Sequence, residues 1–408
     1  MTAEAAAARR LIPIVALLAA DGASRIGNAI TVVAVPLLAL LIAGTPLAVA
    51  AAGVAATLPY IIGGALGGVV VDRVGFRRAS VIADAASGLT ILAIPLLAGV
   101  DALPLWVLLI LVFFSNLFDA PGSAARSSQI PELCELAGVP LPKITAAQAT
   151  VSRTATLLGA TLAGLLIATA GAAATMFVTV VTFAVAIALT VLFIPRVELV
   201  VADASQESAT GSAGLTAGIR FVLRTPLVRA VVVMVVLTNA IDIAGVTVLK
   251  PLYAAGLGHD GAELGVMIAC SAGGALIGAA LYGIIGDRLP RHALYVTLFL
   301  LAGVPPYLTL ALAPPFPVVA AVLFVSGLAA GPLNPLIDSA LFHLILAAIR
   351  ARVLGAITAG VTAAMPLGSL LAGLGVDTVG LTATLLLTAA LYLAVILSTG
   401  FGRRWRSF

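Results

Sequence analysis

Long apolar runs, each broken by a short polar or charged stretch, set the pattern of this 408-residue chain. A run of about 20 apolar residues rising 1.5 Å per residue matches the hydrocarbon thickness of a bilayer, where a helix satisfies its backbone internally. Each run is therefore read as a spanning helix, since a membrane barrel would instead alternate polar and apolar positions over segments of about 10 residues. Spans are predicted over 11–42, 47–71, 79–99, 104–125, 146–169, 173–195, 227–253, 262–286, 293–313, 316–340, 353–375 and 380–401, twelve helices with six in each half.

The one low-complexity polar segment, Ala202 to Ala213, falls between the sixth and seventh spans and reads as a flexible linker. Just after it, Leu215, Ile219 and Val222 share a helical face opposite Arg220 and Arg224, the pattern of a short helix lying on the membrane surface. The predicted organisation is a six-helix half over 1–195, a cytoplasmic linker with an amphipathic helix over 196–226, and a second six-helix half over 227–408.

Composition removes the soluble alternative. Hydrophobic residues make up 62% and charged residues 9%, with a mean hydropathy of +1.21, far from the roughly 45–50% apolar and 25% charged usage of soluble domains. Arg9-Arg10 before Leu11 mimics the start of a signal peptide, but the apolar pattern resumes beyond Asn28 and outlasts such a core. The basic residues stand at short intervals between apolar runs, so they report topology and exclude a nucleic-acid face. With the amino terminus inside, every basic residue except Arg25, Arg153 and Lys250, which fall within predicted helices, lies on the cytoplasmic side. Cys134 and Cys270 form no paired motif and read as small buried hydrophobes.

A charged turn interrupts the pattern at Gly68-Val-Val-Val-Asp72-Arg73-Val-Gly75-Phe-Arg77-Arg78, and a degenerate copy follows about half a chain later at Gly283-Ile-Ile-Gly286-Asp287-Arg288-Leu-Pro290-Arg291-His292. Repetition on that scale predicts two homologous halves. Gly68 and Gly75 permit a close helix approach and a tight turn, Asp72 accepts hydrogen bonds at a helix start, and Arg73, Arg77 and Arg78 anchor the loop to the cytoplasmic face.

This arrangement resembles the major facilitator superfamily over the whole chain. A second stretch, Phe118-Asp119-Ala-Pro121-Gly-Ser-Ala-Ala-Arg126 with Ile130-Pro131-Glu132 behind it, is similar to the signature of a drug:proton antiporter branch. That branch holds macrolide-efflux pumps, the enterobactin exporter and actinobacterial multidrug pumps of the Tap type. Ser24 with Gly27-Asn28, Ile82-Ala-Asp84 with Gly88, and Gly331-Pro332 with Asn334-Pro335 look like the Tap type in particular. Two departures stand out: Asn28 replaces an acid frequent in the branch, and Gly159 is followed by Ala160 where antiporters usually carry Gly-Pro, with Gly164 keeping the spacing. The charged turn and its copy are read as a latch that holds the two halves together on the cytoplasmic side, made of Gly68, Asp72, Arg73, Gly75, Arg77, Arg78, Asp119, Arg126, Asp287 and Arg288.

Candidate chemistry is sparse. Neither Lys143 nor Lys250 follows a glycine, so no phosphate-binding G-K-[ST] loop exists to hydrolyse ATP, and His259, His292 and His343 show no metal-ligand spacing. No cofactor and no enzymatic role are expected, and energy comes from a gradient. Asp21 and Asp242 lie roughly 15–22 Å into their helices, where an ionised carboxylate is costly, and are the candidates for proton coupling. For Asp21 the other reading is a structural pair with Arg25 on the same face.

The four asparagines, Asn28, Asn116, Asn239 and Asn334, fall in helices 1, 4, 7 and 10, which line the central cavity in the resembled superfamily. A ring around substrate and interhelical bonds away from it both remain open. Arg25 and Arg153 are candidates for an anionic group on the substrate, with snorkelling the alternative for Arg153 and for Lys250. Asp84 and Asp119 are read as organisers of an inner gate with nearby arginines, substrate contact being the alternative. Phe114, Phe118, Phe177, Phe183, Tyr253 and Tyr282 either line an apolar pocket or pack between helices.

The reading that results is an all-α membrane protein of the twelve-helix kind, expected to be a monomer in a bacterial inner membrane with both termini cytoplasmic. It exports small amphiphilic drugs in exchange for protons by alternating access. A dedicated exporter of a siderophore or endogenous metabolite and a non-transporting sensor or scaffold are the alternatives.

Overall fold

The structure is a computed structural model that describes residues 3–195, 220–257, 262–285, 291–334, 336–337 and 350–400. The sequence-predicted linker, its amphipathic helix up to residue 219, Asp287, Arg288, His259 and His343 lie outside the described residues. So do the side-chain surroundings of Gly68, Asp72, Arg73 and His292.

Apolar helices account for nearly the whole described chain: α1 (Ala3–Ala43), α2 (Pro46–Val74), α3 (Phe76–Ala98), α4 (Leu105–Ser128), α5 (Ile130–Ala137), α6 (Leu141–Phe193), α7 (Pro226–Ala244), α8 (Lys250–Gly256), α9 (Ala262–Ile285), α10 (Arg291–Leu312), α11 (Phe316–Ala330), α12 (Arg350–Val379) and α13 (Leu381–Gly400). Ten are long and apolar enough to cross a membrane when α7 and α8 are taken as one run, and α11 is a shorter apolar helix. The 53-residue α6 is too long for one crossing, since a 30 Å core takes about 20 residues. Gly171 divides it at φ 81°, ψ 162°, a region open essentially to glycine alone. With α6 counted as two spans and α11 as one, the helices fill the twelve-helix plan predicted from the apolar runs. Lipid is the solvent for their outer faces, where Leu41 (76% exposed) and Leu312 (79%) stand clear of any packing partner.

The chain divides into two compact units, Met1–Leu199 with Ala254–Ala269, and Val200–Tyr253 with Cys270–Phe408. In the first, α1 packs along α6, α4 lies against both α2 and α3, and α3 also meets α6. In the second, α7 packs along α12, and α10 lies against both α11 and α13. The pairing of first span with fifth, third with fourth and third with sixth is thus repeated.

Glycines carry the same repeat at atomic scale. A Cβ on Gly159 would meet the Ile26 carbonyl oxygen at 2.7 Å, and one on Gly368 would run into the carbonyl of Ala240, so each glycine lets the fifth span of its unit touch the backbone of the first. Gly171 and Gly380, both at positive φ, turn the chain between the last two spans of their units at the same spacing behind them. Gly75 is a third such turn, at φ 84° before α3, where the charged stretch requires a tight reversal.

Gly159→Val and Gly171→Val should each lower thermal stability in detergent by about 1–3 kcal/mol, the first by overpacking and the second by backbone strain. Unfolding followed by circular dichroism checks both, with Leu165→Val on the exposed face of α6 as the neutral control.

Candidate functional site

Four helices of the first unit deliver polar side chains to one buried point. On α4, Asp119 and Arg126 are about two turns apart at 3.6 residues per turn, so both project from one side. Between them lies Gly122, where a Cβ would sit 2.7 Å from that of Ala83. That close approach draws α3 in and brings Asp84, the next residue, within reach of Arg126. On α1, Asp21, Ser24, Arg25 and Asn28 follow one another at helical spacing.

Arg126 is the hub, and its side chain is 1% exposed. Its Nη1 donates to both oxygens of Asp84 at 2.9 Å. Its Nη2 donates to Ser24 Oγ at 3.1 Å, and that hydroxyl donates onward to Asp84 Oδ1 at 3.3 Å. Its Nε reaches Asp21 Oδ1 at 3.4 Å, while the other oxygen of Asp21 receives Arg25 Nε at 2.8 Å. Asp119 is held differently. Its Oδ2 accepts from the Asn28 amide at 2.9 Å and the Tyr60 hydroxyl at 3.4 Å, both neutral donors. Its Oδ1 stands 3.7 Å from Arg126 Nη2 and has no hydrogen-bond partner among the described residues.

Burying a guanidinium costs several kcal/mol unless carboxylates and hydrogen bonds replace its water, and here nearly every Arg126 donor is matched. The network is sealed on one side. One to two turns before Asp21, Ile14, Ala16 and Leu17 pack with Ile130, Leu133 and Cys134 of α5 and with Ile144 and Ile194. Gly138 at φ 66° ends α5 in a left-handed cap that holds this short helix in place. Toward the other end of the network, Arg25 is 32% exposed on its side chain and Tyr60 38%.

The structure gathers Asp21, Arg25, Asn28, Asp84, Asp119 and Arg126 from the sequence-predicted set into this network, together with Ser24 of the resembled motif, and adds Tyr60. Arg126, expected among the cytoplasmic loop arginines, is instead fully buried, because three carboxylates converge on it. Arg77 donates from Nη2 to the Val191 carbonyl at 2.6 Å and from Nε to that of Thr190 at 3.3 Å, tying the start of α3 to the carbonyl end of α6. Arg78 is exposed and Arg153 half-buried.

Asp242 lies in the second unit on α7, exposed, just before a π-helical turn at Gly245–Leu249. Such turns shift the hydrogen-bond register and are frequent at functional sites. Tyr307 Oη donates to the Ile241 carbonyl at 3.0 Å with its ring against Gly245, and Thr247 and Ser369 share a buried hydroxyl contact of 2.9 Å. Asn116 and Asn239 each donate to the carbonyl four residues back on their own helix, at 2.8 Å in both cases, and Asn334 is exposed. Among the aromatics, Phe183 is buried, while Phe114 and Phe118 are exposed and stacked at 6.0 Å. Groups of acids, cysteines and histidines suited to a metal ion are absent among the described residues.

Known proteins resemble this chain in sequence and in fold. A chain named multidrug efflux pump Tap from Mycolicibacterium fortuitum is 34% identical over 380 residues, covering 92% of this chain and 91% of that one. A Tap pump from Mycobacterium tuberculosis is 32% identical over 369 residues, covering 89% and 87%. Among solved structures, the nucleoside transporter NupG superposes with a TM-score of 0.73 at 12% identity, over 96% of this chain and 98% of that one. A POT family transporter in complex with 5-aminolevulinic acid superposes at 0.70 and 13% identity, over 94% of each chain; at such identities the likeness shows the fold alone. The family model for the Major Facilitator Superfamily matches residues 17–260 and 232–406. This multi-pass membrane chain belongs to the major facilitator superfamily.

Proposed function

We propose that this protein exports small amphiphilic drugs or antibiotics in exchange for protons by alternating access. Kinship to two multidrug efflux pumps over about nine-tenths of the chain carries the export reading. The proton reading rests on acids set within the spans: a carboxylate there is stable only when paired, protonated or reached by water, so changing its surroundings moves a proton. Asp21, within the Arg126 network, and Asp242, beside the π turn, are the coupling candidates. Arg25, Asn28, Asn116, Asn239, Asn334 and Arg153 are the candidates for cargo contact. Asn28 and Arg25 reach cargo only by breaking the bonds that hold Asp119 and Asp21. The pairing of Arg25 with Asp21 also weighs against an anionic siderophore as cargo.

The turn at Gly75 with Arg77 and Arg78, the rest of the charged stretch around Asp72, and its copy at Asp287-Arg288 serve in this reading as a cytoplasmic latch. The protein works as a monomer in the bacterial inner membrane with both termini cytoplasmic.

Purified protein in liposomes should accumulate several structurally unrelated amphiphilic antibiotics against their gradients when a proton gradient is imposed, and an uncoupler should abolish accumulation. Cargo movement indifferent to the uncoupler would refute the antiport, and acceptance of one compound alone would point to a dedicated exporter. Asp21→Asn combined with Asp242→Asn should lower uphill accumulation at least about tenfold, equivalent to about 1.4 kcal/mol of lost coupling. Arg126→Met should destabilise the first unit by about 3–5 kcal/mol, because it leaves three carboxylates without their shared cation. Its melting temperature in detergent, compared with that of the exposed-site variant Arg78→Met, provides the check.

A further inference from the structure

The second unit holds two opposite charges on one helix face that do not reach each other. Asp242 stands at the midpoint of the apolar run Val228–Gly256 and is exposed there. A carboxylate at that depth is too costly against hydrocarbon, so the surface it occupies is one that water reaches. Lys250, half-buried, follows eight residues later, and each is the opposite charge that acts on the other. In an unbroken α-helix that step would turn Lys250 about 80° away from the line of Asp242. The π turn at Gly245–Leu249 takes up one residue more than an α turn, so the step acts as one of about seven residues, two full turns. Both charges therefore share one face of α7 and α8. The turn is braced from neighbouring helices, by Tyr307 Oη donating to the Ile241 carbonyl at 3.0 Å and by the 2.9 Å contact of Thr247 with Ser369.

Two turns set the Cα atoms of the pair about 12 Å apart along the axis, and neither side chain takes part in a hydrogen bond or ion pair among the described residues. Asp21 and Arg25, one turn apart, meet at 2.8 Å instead. A helical side chain leans toward the N-terminus of its helix, so Lys250 leans toward Asp242 across a gap too wide for a direct bond. One turn beyond Lys250, Tyr253 is 6% exposed and its hydroxyl has no hydrogen-bond partner among the described residues. Two unmet charges of opposite sign and an unmet donor suit a ligand that carries both signs itself. We propose that Asp242 and Lys250 are the two poles of a cargo site for zwitterionic amphiphiles, with a protonated amine at Asp242, a carboxylate or similar anion at Lys250, and the Tyr253 hydroxyl as second donor to that anion. The site rests on the export reading and names the class of cargo. A singly charged cargo leaves one pole bare, and that unpaired group is the basis of selection.

The test is equilibrium binding of three matched fluorescent probes to the full-length protein in lipid nanodiscs, with no gradient imposed. Lysine dansylated on its side chain carries a free amine and a free carboxylate; its methyl ester is a cation only, and its N-acetyl derivative an anion only. The wild type should bind the zwitterion at least about tenfold tighter than either analogue. Lys250→Met should abolish the preference over the methyl ester, Asp242→Asn should abolish the preference over the N-acetyl probe, and Lys250→Arg should keep both. Each loss is confined to one comparison, which a merely structural defect would not produce. Monodisperse elution and an unchanged melting temperature identify the variants that are folded. If the wild type binds either analogue as tightly as the zwitterion, or binds none of the three, the site is overturned. It is equally overturned if Lys250→Met or Asp242→Asn weakens all three probes alike in folded protein. Discrimination without uphill accumulation of antibiotics would keep the site and refute the export reading, whereas accumulation without discrimination would overturn the site alone.

Discussion

Desolvation of the Arg126 guanidinium is the constraint around which the first unit is arranged. A charge 1% exposed within an apolar bundle is tolerable only if anions and hydrogen bonds come to it, and they come from other helices as well as from its own. Asp21 and Ser24 fix the rotation of α1, Asp84 fixes that of α3, and Asp119 with Asn28 and Tyr60 draws in α1 and α2. In lipid, apolar side chains gain little by leaving one neighbour for another, so polar bonds of this kind, with close glycine contacts, define which helix faces meet. Gly122 on α4 and Gly159 on α6 provide such contacts, as does Gly63 on α2.

The two units solve the packing problem alike and the polar problem differently. Their span pairings repeat, and so do the glycines that turn and close them. The second unit has no counterpart of the Arg126 network among the described residues. It places an exposed carboxylate, Asp242, beside a π turn supported by Tyr307 and by the Thr247–Ser369 pair. A family fold built on duplication thus keeps its skeleton while its ionisable chemistry diverges.

Much of this is legible in the sequence. Apolar runs of spanning length give the helices, and Gly75 within a charged stretch gives the turn before α3. The Asp21–Arg25 pair is visible because four residues is one helical turn. Arg126 is misplaced by the sequence pattern for a physical reason: Ser127, Ser128 and Gln129 follow it, and a polar tail of that sort ordinarily marks a loop. Its burial depends on Asp21 and Asp84, far off in sequence, and no local period encodes such a meeting. Tyr60 escapes likewise, since a lone tyrosine in an apolar run carries no signal until its hydroxyl is seen against Asp119. The fragments carrying the family resemblance, Ser24, Asn28, Asp84 and the Asp119–Arg126 stretch, stand apart along the chain, and only the fold brings them together.

The short helix α5 has a role that its eight residues do not advertise. With Ile14 and Leu17 it spreads an apolar floor under the ionised network, and the side chains of that floor offer no carboxylate, imidazole or hydroxyl along which a proton could hop. Insulation of this sort matters most when the protein is idle. A membrane protein that houses charge deep in the bilayer is a potential short circuit, and a greasy plug one turn thick separates a reversible store of charge from a leak.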